Sequence, residues 1–227
     1  MAVGNAMVST TPESQSIQFD EWVMASWAEY LERLESSTAE GSRCYFDSGW
    51  MRLEMAPLGA LHGRENSIVS TLVVLFTTLN GMRMVELTNT TFRKPGLQDA
   101  QPDIAFYLGQ GFSLPPQDNS PIDVLEYGAP QLVVEIASTT LDDDLGKKRL
   151  LYERLGSAEY WVVNVQAAQV IAFEIAEELS GQVLASKVLP GLEMHTLEAA
   201  LVRSRTEDDA TITRWLLELF SHNPQGG

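Results

Sequence analysis

Between residues 19 and 35 apolar side chains recur at Val23, Trp27, Tyr30, Leu31 and Leu34. That three- and four-residue spacing marks one face of a helix, with Asp20 as its expected N-cap. The period then falls to two. Residues 43–55, RCYFDSGWMRLEM, carry two strand-prone runs around Asp47-Ser48-Gly49 and predict a hairpin, which Pro57 and Gly59 break. Ile68, Leu72, Leu75, Phe76 and Leu79 restore helical spacing and predict a second helix over 62–79, ending at Asn80-Gly81. Strands are expected at 84–91, 104–108 and 132–137, with a Pro-rich excursion over 109–130 between the last two. A third helix, 141–155, opens on Asp142-Asp143-Asp144, which suits the positive end of a helix dipole, and closes at Gly156. Strands at 159–165, 169–175 and 182–189 follow, with turns at 166–168 and 179–181, and helices at 196–203 and 207–220 complete the pattern.

This order shows no internal repeat and no regular βα alternation, so it predicts a single α/β domain with a mixed sheet. The strand LVVEIA (132–137) is apolar except for one Glu, as befits a central strand covered on both faces. The expected division is a flexible N-terminal tail at 1–16, a domain at 17–203, and a C-terminal helix and tail at 204–227. The 12-residue run 68–79 is too short to span a bilayer, and residues 1–16 lack a secretory pattern. One cysteine, Cys44, excludes an intramolecular disulfide framework, and a cytoplasmic protein is expected. The formal net charge of −16 argues against broad affinity for nucleic acid.

Within this frame three features carry chemistry. Glu135 is a carboxylate inside an apolar strand, where desolvation demands a cation, a metal or hydrogen bonds; a stabilising Lys or Arg pair would satisfy it as well as a site would. Asp103 begins the preceding strand, so hairpin-like pairing would bring the two acids together. Adjacent carboxylates readily capture a divalent cation, which outlines a phosphoryl-transfer site. Asp144, Lys148 and Tyr152 recur every four residues and share a helix face. Its plainest reading is an exposed ion pair, yet the row lies partly off the apolar face and Lys148 can reach toward Glu135. Tyr152, Tyr160 and Trp161 are read as core packing ahead of base stacking.

Taken as a set, PDIAFYL (102–108) and LVVEIASTTLDDDLGKKRLLYERLGSAEYWVVNV (132–165) resemble a large bacterial family of restriction-endonuclease-like proteins, a domain of unknown function in the PD-(D/E)XK nuclease superfamily. Each motif is weak alone, and the likeness runs over about residues 19–200. It implies a restriction-endonuclease-like core: a central mixed β-sheet flanked by α-helices. It also implies metal-dependent endonuclease activity, the phosphodiester hydrolysis of nucleic acid. Asp103 and Glu135 would bind Mg2+ or Mn2+ together with the Ile136 backbone carbonyl, and Lys148 would orient the attacking water. The superfamily's usual lysine, two positions after the Glu, is here Ala137, and by motif match Lys148 takes its place. Lys147 points about 100° away on a helix and is the lesser choice. Glu54, His62 and Glu65 fall where the likeness allows supporting residues, His62 equally as a structural hydrogen-bonding group.

The resemblance further implies a homodimer, for which Trp22, Trp27 and the group Trp215, Leu216, Leu219 and Phe220 offer apolar surface. Lys147, Lys148, Arg149 and Arg154, extended by Arg93 and Lys94, would give a local basic rim. Two rivals stand beside the nuclease. One is a catalytically silent nuclease-like scaffold acting in binding or regulation, favoured by the charge and by Ala137. The other is a metal-dependent hydrolase of a small phosphorylated substrate, which escapes the charge difficulty.

Overall fold

The computed structural model describes residues 19–36, 41–55 and 59–222. The expected tail at 1–16 and Pro57 lie outside the described residues. In chain order the elements are β1 (Trp22–Met24), α1 (Trp27–Glu35), β2 (Ser42–Asp47), β3 (Trp50–Met55), α2 (Ala60–Leu79), β4 (Met84–Thr88), β5 (Phe92–Lys94), β6 (Gln98–Ala100) and β7 (Ile104–Leu108). Then come β8 (Ile122–Asp123), α3 (Val124–Tyr127), β9 (Leu132–Ala137), α4 (Leu141–Asp143), a π-helical turn (Asp144–Lys148), α5 (Arg149–Leu155), β10 (Glu159–Asn164), β11 (Gln169–Ala176), β12 (Leu179–Val183), α6 (Met194–Arg203) and α7 (Asp209–His222).

The expected mixed sheet has the order β12-β11-β10-β9-β7-β4, with β9 and β10 parallel and its other neighbours antiparallel. Strand alternation divides β9 between two cores. Leu132, Val134 and Ile136 meet Ile68, Leu72 and Phe76 of α2 and, beyond them, residues of α6 and α7. Val133 and Ala137 meet Leu151, Tyr152 and Leu155 of α5, and Tyr45 of β2. Glu135 lies between those two, on the α5 side.

A second six-stranded sheet, β1-β3-β2-β6-β5-β8, was foreseen only as the 43–55 hairpin. The hairpin turn is Ser48-Gly49, both at positive φ (47° and 95°), the two-residue geometry that matches strand twist and that glycine adopts without strain. Cys44, Phe46 and Leu53 face α1, where Tyr30, Trp27 and Leu34 cover them. The polar positions Arg43, Asp47, Arg52 and Glu54 share the other face with Tyr45, which turns inward toward the first sheet.

Several element boundaries differ from expectation. Residues 22–24 pair with β3 as a strand, and the helix starts at Trp27, so Asp20 is not its cap. Ser26 caps it with a reciprocal bond from Glu29, a capping box. The turn before β12 is Glu177-Glu178, both at positive φ, so the strand begins at Leu179. The apolar residues proposed as dimer surface are largely used inside the chain. Leu216 and Phe220 belong to the core, Phe76 and Phe220 meeting edge to face at 5.3 Å, while Trp27 packs on Phe46 at 5.1 Å. Among the described residues no helix is long and apolar enough to cross a membrane.

Candidate functional site

The site forms where β7 leaves β9. Their antiparallel pairing ends at Ile104↔Val134, so the next cross-strand position sets Asp103 opposite Glu135. Where the strand departs, the Asp103 side chain takes over its hydrogen bonding: Oδ2 accepts from the Ile136 N–H at 2.7 Å. A buried backbone donor that would otherwise be orphaned is thereby satisfied. The parting strands open a cleft of about 240 Å3, lined by Arg43, Glu54, Asp103, Glu135, Ile136 and the Ser138–Thr140 segment.

Two cations from different elements meet these acids. Arg43, on β2, forms a short ion pair with Asp103 Oδ1, lies 4.0 Å from Glu135 Oε2, and donates to Asn89 at 2.7 Å. Lys148, only 1% exposed, lies 2.8 Å from Glu54 and 3.0 Å from Asp144, with its ammonium 4.6 Å from the centre of the Tyr45 ring. Tyr152 donates to Glu135 Oε1 at 2.7 Å, and Thr140 to Asp144 at 2.5 Å. His62 Nε2 lies 3.2 Å from Asp103 Oδ1. Behind Glu54, Arg52 Nε lies 3.2 Å from its carboxylate and 3.5 Å from that of Asp143.

Burial dominates the proton affinities and the pairs decide their final direction. Burial pushes the Asp103 carboxyl up, but the contacts with His62 and Arg43 outweigh it and hold the group below the ordinary range. For Glu135 burial prevails over the pull of Lys148, with the Asp103 charge adding to it, and the carboxyl sits well above its usual value. Asp144 is raised by burial in the same way. Burial works to lower Lys148, yet Glu135, Tyr45, Asp144 and Glu54 together raise it well above an ordinary lysine. Lys148 is therefore an ammonium, a donor and not a base.

Most of the residues chosen from the sequence converge: Asp103, Glu135, Ile136, Lys148, Glu54, His62, Asp144 and Tyr152 form one cluster, Arg43 joining Asp103 to Glu135 and the field of Lys148 reaching Glu135. Glu65 lies at its edge, buried and paired with Arg205 at 2.8 Å, with the charge of His62 also acting on it. Arg43 and Arg52 were missed, although the alternation of the hairpin places both on one face with Tyr45 and Glu54. The basic rim is smaller than the sequence suggests. Arg154 is paired with Asp47, Arg93 with buried Asp99 at 2.6 Å, and Arg149 lies 3.8 Å from Glu153.

Among the described residues no three His, Cys, Asp or Glu side chains converge as a metal-holding group. The donor set suits a hard divalent cation nonetheless. One or two carboxylates, a carbonyl and water or substrate oxygens are what Mg2+ commonly takes, and Glu135 lines the open cleft. Counted formally, Glu54, Asp103, Glu135 and Asp144 outnumber Arg43 and Lys148 by two carboxylates, with His62 also beside Asp103. Including Asp143 and Arg52 leaves the same excess.

The fold has a counterpart among solved structures. The crystal structure of a putative nuclease belonging to DUF820 from Anabaena variabilis ATCC 29413 superposes with a TM-score of 0.53 at 18% identity, over 78% of this chain and 99% of that one. No curated protein matches the chain. A family profile described as "Putative restriction endonuclease" (Uma2) matches residues 27–208, most of the chain including the whole site. The protein belongs to that restriction-endonuclease-like family.

Proposed function

We propose that the protein is a metal-dependent nuclease whose reacting centre is the cleft at Asp103 and Glu135. The observation that carries this reading is a buried cluster with two more carboxyl groups than cations at the point where two strands part, its ammonium fixed among them. Asp103, Glu135 and the Ile136 carbonyl would hold Mg2+ or Mn2+. Bound there, the ion supplies Lewis acidity at a phosphate oxygen and a water of lowered pKa.

The chain's own residues do the rest. Asp103 is kept ionised by Arg43 and His62. Tyr152 orients Glu135 by donating to one oxygen, leaving the other toward the cleft. Lys148, held cationic, donates a hydrogen bond to the attacking water and offsets charge developing on the phosphate. Arg43, which lines the same cleft, can offer its guanidinium to a phosphate oxygen there.

One observation favours the silent scaffold. Both Asp103 oxygens are already engaged, by Arg43, His62 and the Ile136 N–H. The decisive experiment is Mn2+ calorimetry beside a cleavage assay on single- and double-stranded DNA and RNA, with wild type, Glu135→Gln and Lys148→Met. The nuclease reading expects Mn2+ uptake that Glu135→Gln loses, with cleavage lost in both variants. Absence of Mn2+ uptake by the wild type would remove it, and uptake without cleavage of any substrate would favour the scaffold.

A further inference from the structure

The inward face of the hairpin that supplies Arg43 and Glu54 continues into a second cleft of about 530 Å3, within the size range of small-ligand pockets. Trp22 of β1, Trp50 at the start of β3, Lys147 of the π-helical turn and Arg154 of α5 form its walls. Trp50 is 43% exposed, and its position is set by the Ser48-Gly49 turn immediately before it. Asp47, on the other side of that turn, is paired with Arg154 and accepts from Gln98 at 3.3 Å, so the platform is anchored from two elements. The Trp22 indole donates to Asp143 at 2.6 Å and is fixed by that bond.

Arg154 is neutralised by Asp47, which leaves Lys147 as the cleft's available charge. Its ammonium lies 4.8 Å from the Trp50 ring centre and 5.8 Å from that of Trp22, and among the described residues it forms no ion pair. Adjacent lysines thus serve adjacent clefts: Lys148 is buried with the carboxylates, and Lys147 lies over the indoles. A contact path runs Trp22–Asp143–Arg52–Glu54–Lys148 from one cleft to the other.

Two indoles, one of them fixed, with a cation on a flexible stem are the elements that hold single-stranded nucleic acid, the base on an aromatic face and the phosphate on an ammonium. A duplex keeps its base faces inside the stack and cannot use the indoles. On a chain of net charge −16, affinity for a polyanion has to come from a local arrangement of this kind. We propose that this cleft binds an unpaired nucleotide of single-stranded nucleic acid, its base stacked on Trp50 and Trp22 and its phosphate held by Lys147, and presents the neighbouring phosphodiester to the carboxylate site. The presentation step rests on the nuclease reading; the binding step does not.

The test measures binding in EDTA, where no metal-dependent cleavage occurs, using fluorescein-labelled oligo(dT), oligo(U) and a DNA duplex, with tryptophan emission as a second readout. Either single strand should bind better than the duplex and quench the indoles. Trp50→Ala should weaken single-strand binding about tenfold or more and remove much of the quench. Lys147→Gln should weaken it and lower the slope of log K against log salt by about 0.7, the share of one phosphate contact. Circular dichroism confirms that both variants fold, as expected for an exposed indole and a surface ammonium. Binding equal to wild type in both variants, or a duplex bound as tightly as the single strands, overturns the proposal. Single-strand binding that both variants lose, without cleavage under any metal, keeps the cleft and removes the nuclease. Cleavage whose kcat/KM neither variant changes keeps the nuclease and removes the cleft.

Discussion

Replacing Lys148 by Met keeps most of the side-chain volume and deletes one charge from a place that cannot spare it. The ammonium lies 2.8 Å from Glu54 and 3.0 Å from Asp144, and its field is the chief counterweight to the burial of Glu135. At an effective dielectric of 20 each of the two close contacts is a gross attraction of about 6 kcal/mol. Desolvation of the ammonium and of its partners removes much of that. Measured losses on taking one partner from a buried pair, about 3–5 kcal/mol, are therefore the expected net cost. In a chain of this size that lowers Tm by roughly 6–20 °C. The assay is urea unfolding at pH 7 in EDTA on wild type, Lys148→Met, Glu54→Gln and the double variant. Removing both partners should return about 1–3 kcal/mol as coupling. Because the deletion raises the formal excess of carboxyl groups over cations from two to three, Mn2+ should stabilise Lys148→Met more than it stabilises wild type. A Lys148→Met protein within about 1 kcal/mol of wild type, with no coupling to Glu54, would refute the charge balance on which the metal reading stands.

Three further outcomes follow from other parts of the fold. Burial raises the Asp99 carboxyl to about 6 from 3.8, against the pull of Arg93, so the native state holds this proton longer than the unfolded chain. Its contribution to stability is complete below about pH 3 and is lost as the pH rises through about 6; urea melts should show Asp99→Asn gaining about 2 kcal/mol relative to wild type between pH 4 and 7. A difference that stays flat across that range would contradict the shift. Gly156 closes α5 at φ 100°, where an added Cβ meets only Ala129 at 3.9 Å, so Gly156→Ala should cost about 1–2 kcal/mol through backbone strain alone, read as a shift in urea midpoint at constant m. Glu159 accepts from the Trp161 indole at 2.5 Å and from Ser186, Lys187 and Val188 at 2.8–3.2 Å; Glu159→Leu leaves these donors unpaired, at about 1–3 kcal/mol each for those that water cannot reach, and should change Trp161 emission.

The central part of the site could be read in the sequence because it rests on local signals. A lone Glu in an apolar strand and an Asp at the start of the preceding one are visible as pattern, and antiparallel pairing of β7 with β9 sets them side by side. Asp144, Lys148 and Tyr152 were visible as a four-residue repeat, although the expected continuous helix is in fact interrupted by a π-helical turn through the first two. Such turns are frequent at functional sites and leave no mark in hydrophobic spacing. Arg43 and Arg52 were hidden for a different reason. Their face of the hairpin is mostly polar, which ordinarily means solvent, and only the packing of one sheet over another turns it inward. The second sheet was hard to foresee because β5, β6 and β8 have three residues or fewer, too short for a period of two to show. Leu216 and Phe220 looked like a free apolar surface because nothing local tells a helix that closes a core from one that meets another chain.

The departure of β7 from β9 has a consequence for comparing members of this family. Asp103 completes the hydrogen bonding of β9 with the same carboxylate that would hold a metal, and Lys148 balances Glu54 and Asp144 whether or not a phosphate ever arrives. A descendant that lost its chemistry would still lose stability if it lost these two residues. Their retention in a relative would therefore record selection on folding as well as on catalysis. Glu135 is the more discriminating marker: half-bonded to Tyr152, open to the cleft and raised by burial, it is the acid such a descendant would gain most by exchanging for something neutral.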